Sequence, residues 1–504
     1  MKRTFCILLS LVLLCSAFGA VPAGAQTQSV SVEPIDLHRE DFIRGMDVSS
    51  VLSLERSGVK YYTADGAKED LFRILADNGV NYIRVRVWND PFDASGNGYG
   101  GGNNDVATAA QIGARAAACG MKLLVDFHYS DFWADPGKQK APKAWSGMSL
   151  SQKLNAVRDF TTASLQTIRG AGADIGMVQI GNETSNGLVG EDSWWNMSQL
   201  YNAGSAAVRA FDPSVLVAIH FTNPEKTAYM KSLADFLSDY HVDYDVFALS
   251  YYPYWHGSLS NLTEVLDYVA VNHHKLTMVA ETSYAYTLSD SDGHPNTVSA
   301  YANNTGSDLL WDFTPQGQAD EVRAVMNAVN NVSDNAGLGV FYWEGAWITV
   351  GDTTGLSGSA YDSRLAANKA LWERDGSGWA ASYCGEYDPD DGGKWYGGCA
   401  VDNQAFFAPD GKALPSLQVF AQVAATSYLL GDTDGDSEVT VIDATMLQRH
   451  LAQVKSTGFI EAVADVDSDS DITILDATLI KRWVAGLFCP YPIAKKRIVP
   501  SPGS

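Results

Sequence analysis

The chain has 504 residues, 46% of them hydrophobic and 11% aromatic, and a formal net charge of −24. That length carries one large core and a small second module. The acidic balance excludes nucleic acid and anionic membrane as partners, because both require clustered Lys and Arg; it suits calcium sites and neutral polymers.

The N-terminus predicts export. Lys2 and Arg3 precede an apolar run from Ile7 to Phe18, and Ala23 and Ala25 offer a cleavage site before Gln26. The run is too short to span a bilayer, so residues 1–25 are expected as a signal peptide on a secreted, extracellular chain, followed by an N-terminal lead over 26–39. Cys119, Cys384, Cys399 and Cys489 remain after cleavage. Cys384 and Cys399 flank a Gly- and Asp-rich loop, which suits either a disulfide or two reduced thiols.

Eight β-branched, apolar runs follow, at 43–48, 82–88, 122–128, 177–183, 215–220, 246–251, 275–281 and 338–344, each leading into a loop and an Ala- and Leu-rich helical stretch. Alternating strands and helices imply parallel pairing with right-handed crossovers, and eight such units imply a (β/α)8 TIM barrel over 40–427. Asp47, Arg86, Asp126, His128, Asn182, Glu183, Tyr251, Glu281 and Glu344 all fall at C-terminal ends of these runs. In such a barrel that rim is the active-site face.

Glu183 ends the fourth run and Glu281 the seventh, on opposing sides of the barrel, so both can address one bond. Retaining glycosidases need two carboxyl groups about 5 Å apart, one to protonate the leaving oxygen and one to attack the sugar. Trp88, Trp133, Trp145, Trp255, Trp343 and Trp347 lie in or just after strand ends, where flat apolar faces can stack on sugars or simply fill core.

The motifs GMDVSS (45–50), IRVRVWNDP (83–91), YGGGNND (99–105), DFHYSDFWADPGKQKAPKAW (126–145), QIGNE (179–183), ETSY (281–284) and YWEGAW (342–347) together resemble glycoside hydrolase family 53. The resemblance covers most of residues 40–425 and implies an arabinogalactan endo-β-1,4-galactanase with no organic cofactor, the barrel monomeric. Within the wider clan of such barrels it implies that Asn182 binds the sugar 2-hydroxyl, Glu183 is acid then base, and Glu281 forms a glycosyl-enzyme. A mannanase or cellulase of the same clan, or a carbohydrate-binding scaffold component, are the alternatives.

Supporting roles follow from charge and register. Arg86 is expected to keep the nucleophilic carboxylate ionised. Asp126 and His128, two apart on one strand, face the same way toward sugar hydroxyls or a satisfied core. Tyr251, or Tyr252 in the other register, is expected to donate to Glu281. Trp343 and Trp347 are expected at the substrate.

After the seventh run, SDSDGHPN places Asp290, Asp292, His294 and Asn296 at alternate positions of a loop, and the family resemblance implies a calcium there. From Gly431 the composition changes to two near-copies 33 residues apart, an internal repeat marking a separate unit at 428–490 with a tail at 491–504. Asp432, Asp434, Asp436 and Asp443, then Asp465, Asp467, Asp469 and Asp476, occupy positions 1, 3, 5 and 12 of EF-hand-like loops; Glu438 and Asp471 supply the carbonyl at position 7. Ser437 and Ser470 stand where an ordinary EF-hand loop has its turn glycine. The repeat resembles a type I dockerin, a small all-α module that implies two calcium ions and a cohesin domain on a scaffoldin as partner.

Overall fold

A computed structural model describes residues 29–299, 309–424, 426–454 and 458–499. The expected signal segment 1–25 lies outside the described residues. Eight parallel strands close into a barrel in sequence order: β1 Ile43–Asp47, β2 Tyr82–Val87, β3 Lys122–Phe127, β4 Ile175–Ile180, β5 Leu216–Phe221, β6 Val246–Ser250, β7 Leu276–Thr282 and β8 Gly337–Tyr342, with β8 returning to β1.

The period-2 alternation of each strand divides its side chains between two cores. Tyr82, Leu124, Met177, Ala248, Met278 and Phe341 fill the barrel interior, while Ile83, Val125, Val178 and Val279 pack outward beneath the helices. Gly45 is obligatory at one point of this packing, since a Cβ there would lie 2.2 Å from the Phe341 ring. The surrounding helices begin at side-chain caps such as Asp105, Ser258 and Thr314, which satisfy first-turn N–H groups.

The register of β7 carries a consequence for the site. Leu249 pairs with Val279, but the next residue, Ser250, pairs with Glu281, so Ala280 is an extra residue in the ladder. Met278 and Ala280 already face inward. Strict alternation would turn Glu281 out toward the helices; the bulge re-aims it into the barrel mouth.

The lead before β1 is part of this fold: Val30, Val32 and Ile35 are buried, and the Ile35 N–H donates to the Val423 carbonyl at 2.9 Å. The C-terminal unit pairs helices Val441–Leu451 and Ile474–Val484 around Ala444, Leu447, Ala477 and Ile480. Thr440 and Thr473 cap these helices, and Asp443 and Asp476 complete the capping boxes. Residues 491–504, expected as a tail, do not form one throughout. Strand β10, Lys496–Val499, pairs antiparallel with β9, Thr426–Leu429, and Ile493 joins the small core. Among the described residues no helix is long and apolar enough to cross a membrane.

Candidate active site

The barrel mouth opens into a cleft of about 480 Å³ lined by residues from β2, β3, β7 and the loops at the strand ends, Glu183 and Glu281 among them. Glu183 stands three residues past β4 with φ 46°, a left-handed conformation that costs about 1–2 kcal/mol for a residue with a Cβ and persists where the surroundings enforce it. Its carboxyl accepts the Ser250 hydroxyl at 2.6 Å. Burial and the neighbouring Glu281 charge push its pKa up to about 8, so it holds a proton at neutral pH.

Glu281 has a different environment. Burial raises its pKa too, but the Arg84 guanidinium 2.9 Å from Oε1 and the Tyr252 hydroxyl, donating to Oε2 at 2.9 Å, oppose that shift and favour the carboxylate. Both carboxyl groups are raised by burial, but only Glu281 has a guanidinium and a phenol hydroxyl opposing the rise, so the two environments differ.

Two expected partners are corrected. Arg86 does not touch Glu281; it pairs with Glu344 at 2.5 Å, donates to the Gly101 carbonyl at 2.6 Å and lies over the Trp133 ring, 4.3 Å from its centroid. Arg84, two residues earlier on the same inward face, is the guanidinium at Glu281, reaching Asp47, Asp126 and Asn182 as well. Two residues along a strand are about 6.6 Å, so the lower arginine meets the depth at which the bulge delivers Glu281. Tyr251 points away, donating to the Gly257 carbonyl at 3.2 Å, and Tyr252 takes its expected place.

Asp126 and His128 line the cleft, but their hydrogen bonds are committed to protein. Asp126 accepts from Arg84 at 2.8 Å and from Gln179 at 2.6 Å. His128 Nδ1 accepts from Trp88 and from the Ala134 N–H, each at 3.1 Å, leaving its Nε2–H for Asp126 at 3.1 Å. Asn182 donates one amide hydrogen to the Ala134 carbonyl at 2.9 Å and lines the cleft.

Of the six tryptophans, Trp133, Trp255, Trp343 and Trp347 line the cleft, and Trp379 joins them. Trp255 is 47% exposed, an open apolar face. Trp88 and Trp145 are buried packing residues. The Cys384–Cys399 disulfide is not formed: each is a free, buried thiol, packed in a separate cluster, Cys384 with Trp88 and Phe132, Cys399 with Leu54 and Trp347.

Beyond β7, carboxylates of Asp290, Asp292 and Asp402 converge within 4.8 Å of one another. Asn296 donates to Asp402 at 2.6 Å, while its own Oδ1 is buried without a hydrogen-bond partner. Three converging carboxylates and an orphaned amide oxygen fit a hard cation. The His294 ring is not in this cluster; it packs on Trp372, and Asp402, more than 100 residues away in sequence, stands in its place. Burial raises the pKa of Asp292 well above the usual carboxylate range and that of Asp402 to about 6, with like charge adding to it.

In the C-terminal unit, Asp432, Asp434 and Asp443 form one such cluster and Asp465, Asp467 and Asp476 another. Asp436 and Asp469, expected as further ligands, lie outside these clusters and accept the N–H groups of Glu438 and Asp471 at 2.8 and 2.9 Å. Glu438 and Asp471 are exposed. Ser437 and Ser470 adopt φ of 71° and 77°, so the loops make the tight turn without the usual glycine.

Residues 43–420 match the family model for Glycosyl hydrolase family 53, and residues 430–485 that for the Dockerin type I domain. The endo-beta-1,4-galactanase of Bacillus subtilis is 54% identical over 423 residues, spanning 82% of this chain and 95% of the relative. The arabinogalactan endo-beta-1,4-galactanase of Cellvibrio japonicus is 32% identical across 61% of this chain and 81% of its own length. The solved GH53 catalytic domain of Ignisphaera aggregans superposes with a TM-score of 0.68 at 36% identity, covering 78% of this chain and 99% of that one. The chain belongs to glycosyl hydrolase family 53 and carries a type I dockerin domain behind its catalytic barrel.

Proposed function

We propose that the protein is a secreted, retaining arabinogalactan endo-β-1,4-galactanase acting on the galactan side chains of pectin, with Glu183 as acid and base and Glu281 as nucleophile. The observation that carries this reading is the divided environment of the two glutamates: Arg84 and Tyr252 hold Glu281 ready to attack, while burial keeps the proton on Glu183. Glu281 adds to the anomeric carbon as Glu183 protonates the departing oxygen. Water then attacks the anomeric carbon as Glu183 takes its proton, the bond to Glu281 breaks and the sugar leaves with Glu281 again a carboxylate. Asn182 offers its second amide hydrogen to the 2-hydroxyl, and the open aromatic cleft supplies faces for several sugars. The barrel works as a monomer.

Galactan as substrate is supported by the family and by the names of its relatives. Comparing reducing ends released from β-1,4-galactan, mannan and cellulose tests it: release from galactan is expected, and release only from mannan or cellulose would overturn the substrate.

The same reading gives the cations a bracing role. Asp290, Asp292, Asn296 and Asp402 would hold calcium between the loops that follow β7 and β8, beside Ser283 and Gln404, which are joined by a 2.5 Å hydrogen bond at the edge of the cleft. Two further ions would close the dockerin loops, and the module would then tether the enzyme to a cohesin on an extracellular, cellulosome-like scaffold. Val441 and Ile442, and their counterparts Ile474 and Leu475, are exposed apolar pairs at matched positions of the two repeats, suited to a protein surface.

A further inference from the structure

Resting on the acid and base assignment of Glu183, we propose that His220 and Ser250 form a fixed-direction hydrogen-bond relay that positions Glu183 and confines its exchangeable proton to Oε2. Both lie on the interior face at the ends of neighbouring strands, β5 and β6, and both are fully buried. Ser250 Oγ is 2.6 Å from Glu183 Oε1 and 2.9 Å from His220 Nε2. The other ring nitrogen, Nδ1, receives the backbone N–H of Glu183 at 3.3 Å and lies 3.0 Å from the Gln179 amide nitrogen. His220 thus holds Glu183 at its main chain directly and at its carboxyl through Ser250, at a residue whose backbone is left-handed.

The direction of the relay follows from hydrogen counting. A backbone N–H can only donate, so Nδ1 must accept. Asn182 Oδ1, 3.1 Å from Nδ1, is occupied instead by Arg84 at 2.9 Å and by Gln179 at 3.2 Å. Burial and Arg84 keep the imidazole neutral. A neutral ring with a bare Nδ1 carries its hydrogen on Nε2, which donates to Ser250 Oγ. Ser250 has one hydrogen, and it goes to Glu183 Oε1. That oxygen therefore accepts whether the carboxyl is protonated or not, and the catalytic proton resides on Oε2. During the first step the Oε2 proton passes to the leaving oxygen as the glycosidic bond breaks; during the second, Oε2 takes a proton from water. Ser250 and His220 keep theirs throughout.

The relay also lowers the proton affinity of Glu183, because a donor to the carboxylate stabilises its charged form. Other groups act on the same carboxyl: Glu281 from β7 and Asp135 from the loop after β3 raise its affinity, and the Thr222 hydroxyl lowers it less than Ser250 does. Arg84, Asp126, His128, Lys138, Tyr252, His256 and Asp391 share the cleft. None is changed by the substitutions below.

The test compares full-length wild type, Ser250→Ala, His220→Leu and His220→Gln by pH profile of kcat/KM on galactan and by the glycosylation rate on a dinitrophenyl β-galactobioside, whose leaving group needs no protonation. Ser250→Ala is expected to move the alkaline limb up by about half to one pH unit and to lose about 10- to 100-fold on galactan at neutral pH, while changing the activated substrate by less than about threefold. His220→Leu should follow it, and His220→Gln, which retains a donor, should recover most of the loss. An unmoved alkaline limb, or equal losses on both substrates, would overturn the relay. If Ser250→Ala does not fold, Ser250→Cys, of similar shape but a poor donor, takes its place. Glu183→Ala is the control: it should lose galactan activity while keeping the activated first step. If it keeps galactan activity, the acid and base assignment itself fails; if it behaves as expected while Ser250→Ala leaves the limb in place, only the relay fails.

Discussion

The Arg84 guanidinium lies 2.9 Å from Oε1 of Glu281, with both side chains nearly excluded from water. In that setting the guanidinium opposes the rise that burial imposes on the Glu281 pKa. In the proposed mechanism Glu281 attacks as a carboxylate, so its pKa is expected to govern the acid limb of kcat/KM. Removing the positive charge raises that pKa. Arg84→Met is therefore expected to move the acid limb to higher pH by about 1 unit or more and to cost about 3–5 kcal/mol of stability by leaving carboxylates unpaired. Arg84→Lys should shift the limb less and retain the fold. A pH profile from 3 to 9 with a thermal melt checks both.

The two adjacent tyrosines after β6 separate by function. Tyr252→Phe removes a donor to Glu281 and is expected to lower kcat/KM on galactan by about 10- to 100-fold. Tyr251→Phe, whose hydroxyl donates to the Gly257 carbonyl rather than to Glu281, should remain within about twofold. Steady-state kinetics on both variants decides the register.

Calcium removal should act separately on the two units. EDTA is expected to unfold the dockerin, whose clustered carboxylates then repel, and to lower the melting temperature of the barrel by several degrees. Asp402→Asn should remove most of the calcium-dependent shift in the barrel melt while leaving that of the dockerin intact. Calorimetry with and without calcium resolves the two transitions.

Ser437 and Ser470 hold positive φ where a glycine would be unstrained. Replacing each by Gly is expected to relieve about 1 kcal/mol of backbone strain, offset in part by glycine's greater entropy when unfolded, and so to tighten calcium binding modestly. Isothermal titration of the variants against wild type measures it.

Much of this architecture was legible in the sequence because it repeats. Eight apolar runs with polar ends define the barrel and its working rim, and two copies of an Asp-rich loop define the dockerin. What escaped depends on single-residue register or on contacts distant in sequence. Arg84 and Arg86 are equivalent by alternation; choosing between them requires the Ala280 bulge, which no pattern of apolar residues announces. Asp402 belongs with Asp290 and Asp292 only once the loops after β7 and β8 are brought together. Ser250 and His220 sit inside apolar strands and read as incidental polar residues until their distances to Glu183 are known. Cys384 and Cys399 are close in sequence, but the loop between them carries each into a separate apolar cluster.

Trapping the glycosyl-enzyme tests the central claim most directly. Incubation with a 2-deoxy-2-fluoro-β-galactobiosyl fluoride, whose slow second step lets the intermediate accumulate, should add one glycosyl mass to the protein, located by peptide mass spectrometry on Glu281, and NMR of galactan hydrolysis should show the β-anomer released first. An α-anomer as first product, or a label on another residue, would contradict it.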